Sequence, residues 1–126
     1  MTFLQSADAL LFAQWLIGGI WIFHGLYSKL LRGIPRHRQI VARVLGERHA
    51  DLATNLVGLA EVALGIWTLT GWHRVPCAAV QTVALISMNV LEIALAVDLL
   101  ISAIGLLVLN AAFLTVIWNW ALAPRG

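Results

Sequence analysis

The sequence predicts an all-α protein, a transmembrane four-helix bundle with a short amphipathic helix in its first loop. Of the 126 residues, 61% are hydrophobic and 11% are charged, whereas soluble domains are about 45–50% apolar and about 25% charged. Four stretches are long and apolar enough to cross a bilayer, which takes about 20 residues. At 13.8 kDa, the chain is expected to form a single membrane domain over residues 1–126.

The four predicted spans cover residues 8–31, 50–72, 75–98 and 102–122. A tight turn joins the second span to the third, and Pro76 suits the first turn of a helix. The first span is not expected to be a cleaved signal peptide, because no Lys or Arg precedes Lys29 and such signals begin with a basic region. Cys77 is the only cysteine, which excludes an internal disulfide.

The first loop is predicted to contain a short helix that begins at Pro35 and ends near Gly46. Its apolar stripe consists of Ile40, Val41, Val44 and Leu45. The pattern allows an interfacial helix whose arginines contact anionic lipid headgroups, and it equally allows a connector that packs on the bundle. The residues predicted to contact headgroups are Lys29, Arg32, Arg36 and Arg43.

The basic residues also predict an orientation. Six of the eight Lys and Arg residues lie between Lys29 and Arg48, and the other two are Arg74 and Arg125. The positive-inside rule then places the first loop in the cytoplasm and both termini outside. The expected location is a bacterial inner (cytoplasmic) membrane.

Polar residues recur inside the predicted spans, although an ionisable residue at the bilayer centre costs about 2.5–3.5 kcal/mol. At 1.5 Å per residue from the first-loop face, the depths are about 8 Å for Asn55, 9 Å for Glu92, 10 Å for His24, 12 Å for Asn110, 13 Å for Asn89 and 16 Å for Glu61. Because antiparallel helices place these groups in one slab, we expect an interior polar patch. Its residues are His24, Glu61, Asn89, Glu92 and Asn110.

Helical spacing groups small and polar residues into one stripe on each of three spans. The stripes are Gln14, Gly18, Trp21, Gly25 and Ser28 in the first span, Thr54, Gly58, Glu61, Gly65 and Thr68 in the second, and Gln81, Leu85, Asn89 and Glu92 in the third. Small residues allow close approach of helices in lipid, and polar residues hydrogen-bond between them. The stripes are therefore expected to face the interior of the bundle.

Two interpretations of the polar patch remain open. It can hold the helices in register by hydrogen bonds, or it can bind the polar headgroup of a quinone or lipid, since intramembrane ionisable residues often mark functional sites. Lys29 is expected to reach Glu92 but not Glu61. Glu61 is therefore expected to be protonated and to hydrogen-bond to His24, Asn89 or Asn110.

Several chemistries lack their sequence signatures. There is no CxxC or CxxCH motif, and therefore no dithiol pair or covalent haem attachment is expected. His24, Glu61 and Glu92 provide at most an incomplete zinc site. Nucleotide-binding and nucleophile motifs are absent from the sequence, and the basic loop is assigned to the bilayer surface. We expect no intrinsic cofactor, metal, catalytic residue or nucleic-acid partner.

Four sequence runs resemble the DoxX-like membrane proteins: HGLYSKLL at 24–31, VARVLG at 41–46, GLAEVALGIW at 58–67 and MNVLE at 88–92. The resemblance extends from about residue 12 to residue 120. It implies a four-helix membrane bundle related in shape to the vitamin K epoxide reductase group, whose cysteines this chain lacks. Members of the wider family are linked to a terminal quinol oxidase and to thiosulfate:quinone oxidoreductase.

The sequence therefore supports two hypotheses of function. The first is an accessory or scaffold subunit of a larger membrane complex, such as a respiratory or photosynthetic one, with other subunits or further copies of itself as partners. The alternative is a redox-linked component that binds quinone or lipid. Related modules fused behind dehydrogenase- or epimerase-like domains imply a cytoplasmic N-terminus, which is opposite to the orientation predicted from charge.

Overall fold

The computed structural model describes residues 6–124, and this part of the chain is helical without strands. Arg125, which entered the charge argument, lies outside the described residues. The helices are α1 (Ala7–Ile22, continued by a π-helix over Phe23–Leu30), α2 (Pro35–Leu45), α3 (Glu47–Thr70), α4 (Arg74–Leu95) and α5 (Ala103–Leu122), with a 3₁₀ turn at Val97–Leu99.

The four long helices are each apolar and long enough to cross a membrane, which confirms the predicted fold class. The short helix of the first loop is also present as α2. The largest differences at the helix ends are at the start of α3, which begins at Glu47, and at the end of α4, which ends at Leu95 where the chain enters the 3₁₀ turn. The π-helical end of α1 was not predicted from the sequence.

Local interactions set the helix ends. The Ser6 hydroxyl accepts a hydrogen bond from the Ala9 amide at 3.3 Å, and Ser102 accepts one from the Gly105 amide at 3.0 Å, which are typical N-caps. Gly46 has a φ of +92°, a conformation that glycine adopts without a steric penalty. This residue lets α2 turn directly into α3.

Glycines bring α1 and α3 into close antiparallel contact at two levels. A Cβ added to Gly65 would lie 2.7 Å from the Gly18 carbonyl oxygen, and one added to Gly58 would lie 2.8 Å from the Gly25 carbonyl oxygen. Side chains at these positions would hold the two backbones apart. The small residues predicted for close packing in lipid therefore form the main interface of the bundle.

The three predicted stripes face the interior. On α3, all five residues of the stripe are buried, and Gly18, Trp21, Gly25 and Ser28 of the first stripe are buried as well. On α4, Gln81 and Leu85 are buried, while Asn89 and Glu92 are half-buried. Asn55 is exposed, because it follows Thr54 by one residue and so points away from the stripe.

Polar side chains also connect the helices near the end opposite α2. Gln14 donates a hydrogen bond to the Leu69 carbonyl oxygen at 2.9 Å and accepts one from the Trp120 indole at 3.2 Å. In the core, the Trp21 indole donates to Gln81 Oε1 at 2.7 Å. The tryptophan and glutamine side chains thereby fix α1, α3, α4 and α5 relative to one another.

Candidate functional site

A cavity of about 300 Å³ lies at the α2 end of the bundle. All five helices contribute to its wall, and α2 covers it with residues that include Ile40 and Val44. The five residues of the predicted polar patch, His24, Glu61, Asn89, Glu92 and Asn110, all line this cavity, together with Lys29, Arg36 and His37. The cavity thus combines an apolar wall with polar groups from every helix, a composition typical of small-molecule sites.

Lys29 and Glu61 form a buried ion pair in the cavity wall. Lys29 Nζ lies 2.6 Å from Glu61 Oε1, and the two side chains are 9% and 7% exposed. The expectations that Glu61 is beyond the reach of Lys29, and that it hydrogen-bonds to His24, Asn89 or Asn110, are wrong. The predicted contact of Lys29 with lipid headgroups is replaced by this internal pair.

The close approach of α1 and α3 explains why the depth count failed for Lys29. A Cβ on Gly58 would lie 3.1 Å from Lys29 Cβ, and therefore the lysine backbone lies level with Gly58. Glu61 is less than one turn further along α3, a distance that the four-carbon lysine stem covers. A depth calculated by counting residues from the membrane face takes no account of the glycine contact or of the π-helical geometry of Phe23–Leu30.

A second polar pair joins α4 to α5 across the cavity. Asn110 Nδ2 donates a hydrogen bond to Asn89 Oδ1 at 2.7 Å. Within the described chain, Asn89 Nδ2 and Asn110 Oδ1 make no further hydrogen bond, and each amide therefore offers a ligand one polar group. Glu92 lines the cavity one helical turn from Asn89 and forms no ion pair with the described residues.

His37 lies in the first loop and was not predicted as a site residue. Its ring stacks on His24, with 5.8 Å between the ring centroids, and its Nδ1 is buried without a hydrogen-bond partner. Burial, followed by the charge of Lys29 and then by His24 and Arg36, lowers the pKa of His37 to about 4. The sequence did contain a signal, because His37 extends the apolar stripe of α2 at positions i, i+3, i+4 and i+7.

Aromatic rings form the part of the cavity wall that lies deepest in the bundle. Trp21 and Phe113 both line the cavity, with 6.2 Å between their ring centroids. The hydrogen bond of the Trp21 indole to the buried Gln81 fixes the indole plane. A ligand with its head among the polar residues would therefore contact a rigid apolar surface.

The remaining predicted headgroup residues occupy different positions. Arg36 lines the cavity. Arg32 lies 3.4 Å from an Asp51 carboxylate oxygen, and Arg43 forms two bonds to Asp98, at 2.6 and 3.0 Å. Arg43 thus ties the exposed side of α2 to the turn between α4 and α5, while headgroup contact by these arginines stays a prediction.

The cavity offers hydrogen bonds, charge and apolar contact. In the described part of the chain, no three His, Cys, Asp or Glu side chains are grouped as metal ligands. With both histidines neutral, the formal charges of Lys29 and Arg36 balance those of Glu61 and Glu92. The arrangement can therefore hold a neutral polar head without adding net charge to the interior of a membrane protein.

Comparison with known proteins gives one match. Searches of the curated proteins and of the solved structures find no match. The model of the DoxX-like family matches residues 18–118, a range that begins in α1, ends in α5 and includes every polar residue of the cavity. This chain, with its four apolar helices, is an integral membrane protein that belongs to the DoxX-like family.

Proposed function

We propose that this protein binds a membrane-resident amphiphile, a quinone or a lipid, by its polar head. The observation that carries the proposal is the convergence of His24, His37, Glu61, Glu92 and Asn110, one from each helical segment, on a single cavity with an apolar wall. Hydrogen bonding between helices alone does not require open space beside these groups. The volume of the cavity, about 300 Å³, lies at the lower end of the range of volumes found for ligand sites.

The charge of the cavity favours a neutral head. Lys29 and Glu61 neutralise each other at 2.6 Å, and the pKa of His37 near 4 keeps this side chain uncharged at neutral pH. Asn89 Nδ2 is a free donor, and neutral His37 can donate or accept at Nδ1. A quinone ring with two carbonyl acceptors matches these groups better than a headgroup with a net negative charge does.

The experiment is an organic extract of the purified protein, analysed by mass spectrometry for quinones and lipids. One quinone or lipid species is expected at nearly one molecule per chain, and it should be lost in Asn110→Leu and Glu92→Gln. The matched control is Asn55→Leu, which removes an exposed asparagine outside the cavity. The measured mass shows whether the bound molecule is a quinone or a lipid. A wild-type protein that retains neither would overturn the proposal.

An accessory or scaffold role is a second candidate, supported by the outer surface of α5. Ile104 is 77% exposed and Leu109 is 71% exposed, and the bundle covers neither. Such a face packs equally well against lipid, a second copy or the helices of another subunit. Native mass measurement after gentle extraction tests the role, and a 13.8 kDa monomer with full biological competence would count against it.

We further propose that α2 lies on the cytoplasmic side of a bacterial inner membrane, as its basic residues favour. The test labels single cysteines with an impermeant maleimide in a Cys77→Ser background. Exposed positions at the two ends of the bundle are Gln39 and Thr70. Thr70→Cys should be labelled in intact cells and Gln39→Cys only after lysis, whereas the reverse pattern would place α2 outside.

A further inference from the structure

A groove runs along the outer face of the bundle between α3 and α4. It encloses about 490 Å³ and is lined by small side chains that include Ala60, Ala63, Ala84 and Ser87. Ala60, Ala63 and Ser87 are also exposed. Because these side chains are short, they leave the space between the two helices open toward the surrounding bilayer.

The groove adjoins the cavity. Trp21, Val57, Glu61 and Met88 line both spaces. The groove therefore meets the cavity at the level of Glu61. The α2 end of the cavity, in contrast, is covered by a helix whose outer face carries arginine ion pairs.

The groove leads away from α2 into the apolar part of the protein. Along α3 it extends from Val57 to Trp67, and along α4 from Met88 to Val80. Ten residues of helix correspond to about 15 Å. Trp67 lies at the far end, where its indole donates to the Trp72 carbonyl oxygen at 2.7 Å.

We infer that the ligand of the cavity carries a single long apolar tail, alkyl or isoprenoid, which passes through this groove into the bilayer. The inference rests on the proposed function, because the tail belongs to the molecule whose head the cavity binds. Apart from Glu61 at its junction with the cavity and Ser87, the groove is lined by apolar side chains. The groove is a single channel between two helices. It therefore suits one alkyl or isoprenoid chain better than the two acyl chains of a phospholipid.

The test compares two probes on the purified full-length protein: decylubiquinone and its tail-less parent, dimethoxy-methyl-benzoquinone. Ala63→Trp fills the groove without changing a polar residue of the cavity. The matched control is Ala112→Trp, which enlarges an exposed alanine on α5 outside both spaces. Binding is measured by quenching of tryptophan fluorescence, with each variant compared with its own ligand-free signal.

Ala63→Trp should weaken decylubiquinone binding by about tenfold or more, the loss expected when two methylene groups are no longer buried. Binding of the tail-less probe should not change, and Ala112→Trp should bind both probes as the wild type does. Equal binding of decylubiquinone by wild type and Ala63→Trp would overturn the tail assignment while the proposed function stands. A different outcome is that the wild type binds neither probe, while both the wild type and Ala63→Trp retain a two-chain lipid. This result would overturn the single-tail ligand but not the proposed binding of an amphiphile.

Discussion

Lys29 of α1 and Glu61 of α3 form an ion pair, with 2.6 Å between Nζ and Oε1, inside a bundle of apolar helices. Both side chains are less than a tenth exposed. Each group therefore depends on the other, because an unpaired buried charge is far less stable than a paired one. Glu61 lines both the cavity and the groove, whereas Lys29 lines the cavity alone.

Removing one member of this pair should be more harmful than removing both. Glu61→Leu leaves the Lys29 ammonium buried without a partner, and should lower the free energy of unfolding by about 3–5 kcal/mol. Glu61→Leu combined with Lys29→Met should recover most of this loss. Unfolding by detergent titration measures both variants, and equal losses in the single and double variants would contradict a coupled pair.

The glycine contact between α1 and α3 should be sensitive to one methyl group. A Cβ on Gly25 would lie 2.8 Å from the Val62 backbone nitrogen and would also collide with the Gly58 carbonyl oxygen. Gly25→Ala should therefore cost about 1–3 kcal/mol of unfolding free energy, as overpacking does. Gly19→Ala is the control on the same helix, because beyond the neighbouring residues and backbone of its own helix no atom lies within 4 Å of its added Cβ. A similar loss in both variants would mean that the contact is not tight.

His37 should make the protein less stable in mild acid. Its pKa falls from 6.5 to about 4 on folding, and the unfolded chain therefore binds more protons between these values. The contribution of neutral His37 to the free energy of unfolding is fully present above about pH 6.5. It should decline as the pH falls toward about 4. The surrounding groups are Lys29, His24, Arg36 and Glu92.

Thermal unfolding across that pH range checks the His37 prediction. His37→Gln should flatten the decline, because glutamine does not titrate. His49→Gln replaces an exposed histidine and should leave the slope as it is in the wild type. An unchanged slope in His37→Gln would assign the pH dependence to other groups.

The hydrogen bond between Trp21 and Gln81 should contribute to the stability of the core. Gln81 is fully buried, and its Oε1 accepts from the Trp21 indole at 2.7 Å. Gln81→Leu leaves that indole N–H unpaired and should cost about 1–3 kcal/mol. Adding Trp21→Phe to Gln81→Leu removes the unpaired indole N–H. A double-mutant cycle, measured by unfolding in a detergent titration, gives the coupling free energy between the two residues. A coupling near zero would show that the bond contributes nothing.

The Arg43–Asp98 pair should hold α2 against the bundle. The hydrogen bond from Arg43 lowers the pKa of Asp98, and this carboxylate is therefore charged at neutral pH. Asp98→Asn should increase amide hydrogen exchange in α2, while exchange in the core of α3 stays slow. Arg48→Gln removes a basic residue that forms no ion pair with the described residues, and α2 should then exchange as in the wild type. Unchanged exchange in Asp98→Asn would show that apolar packing alone holds the helix.

Hydropathy and helical periodicity were sufficient to predict much of the architecture. The spans follow from length and composition, and the α3 stripe that includes Gly58 and Glu61 is buried as its spacing predicted. The residues of the polar patch come together because side chains at similar depth on antiparallel helices lie at one level. Asn55 shares that depth but points outward, and depth alone was therefore insufficient.

The errors concern features that no single helix determines. The reach of Lys29 depends on a second backbone that approaches through Gly58 and on the widened turns of Phe23–Leu30. His37 was missed because a short helix outside the spans was not treated as part of the cavity wall. Tertiary approach distances arise from pairs of helices, and hydropathy along one chain does not contain them.

The Lys29–Glu61 pair also bears on how the protein enters the membrane. During insertion, Lys29 lies near the end of α1 and can extend its ammonium to the headgroups. Glu61 lies well inside α3 and has no such route. The integration of α3 as a separate segment is therefore costly until it meets α1, which emerges earlier from the ribosome. Docking of α3 on α1 is therefore expected to lower the cost of inserting α3, because Lys29 then pairs with the Glu61 carboxylate.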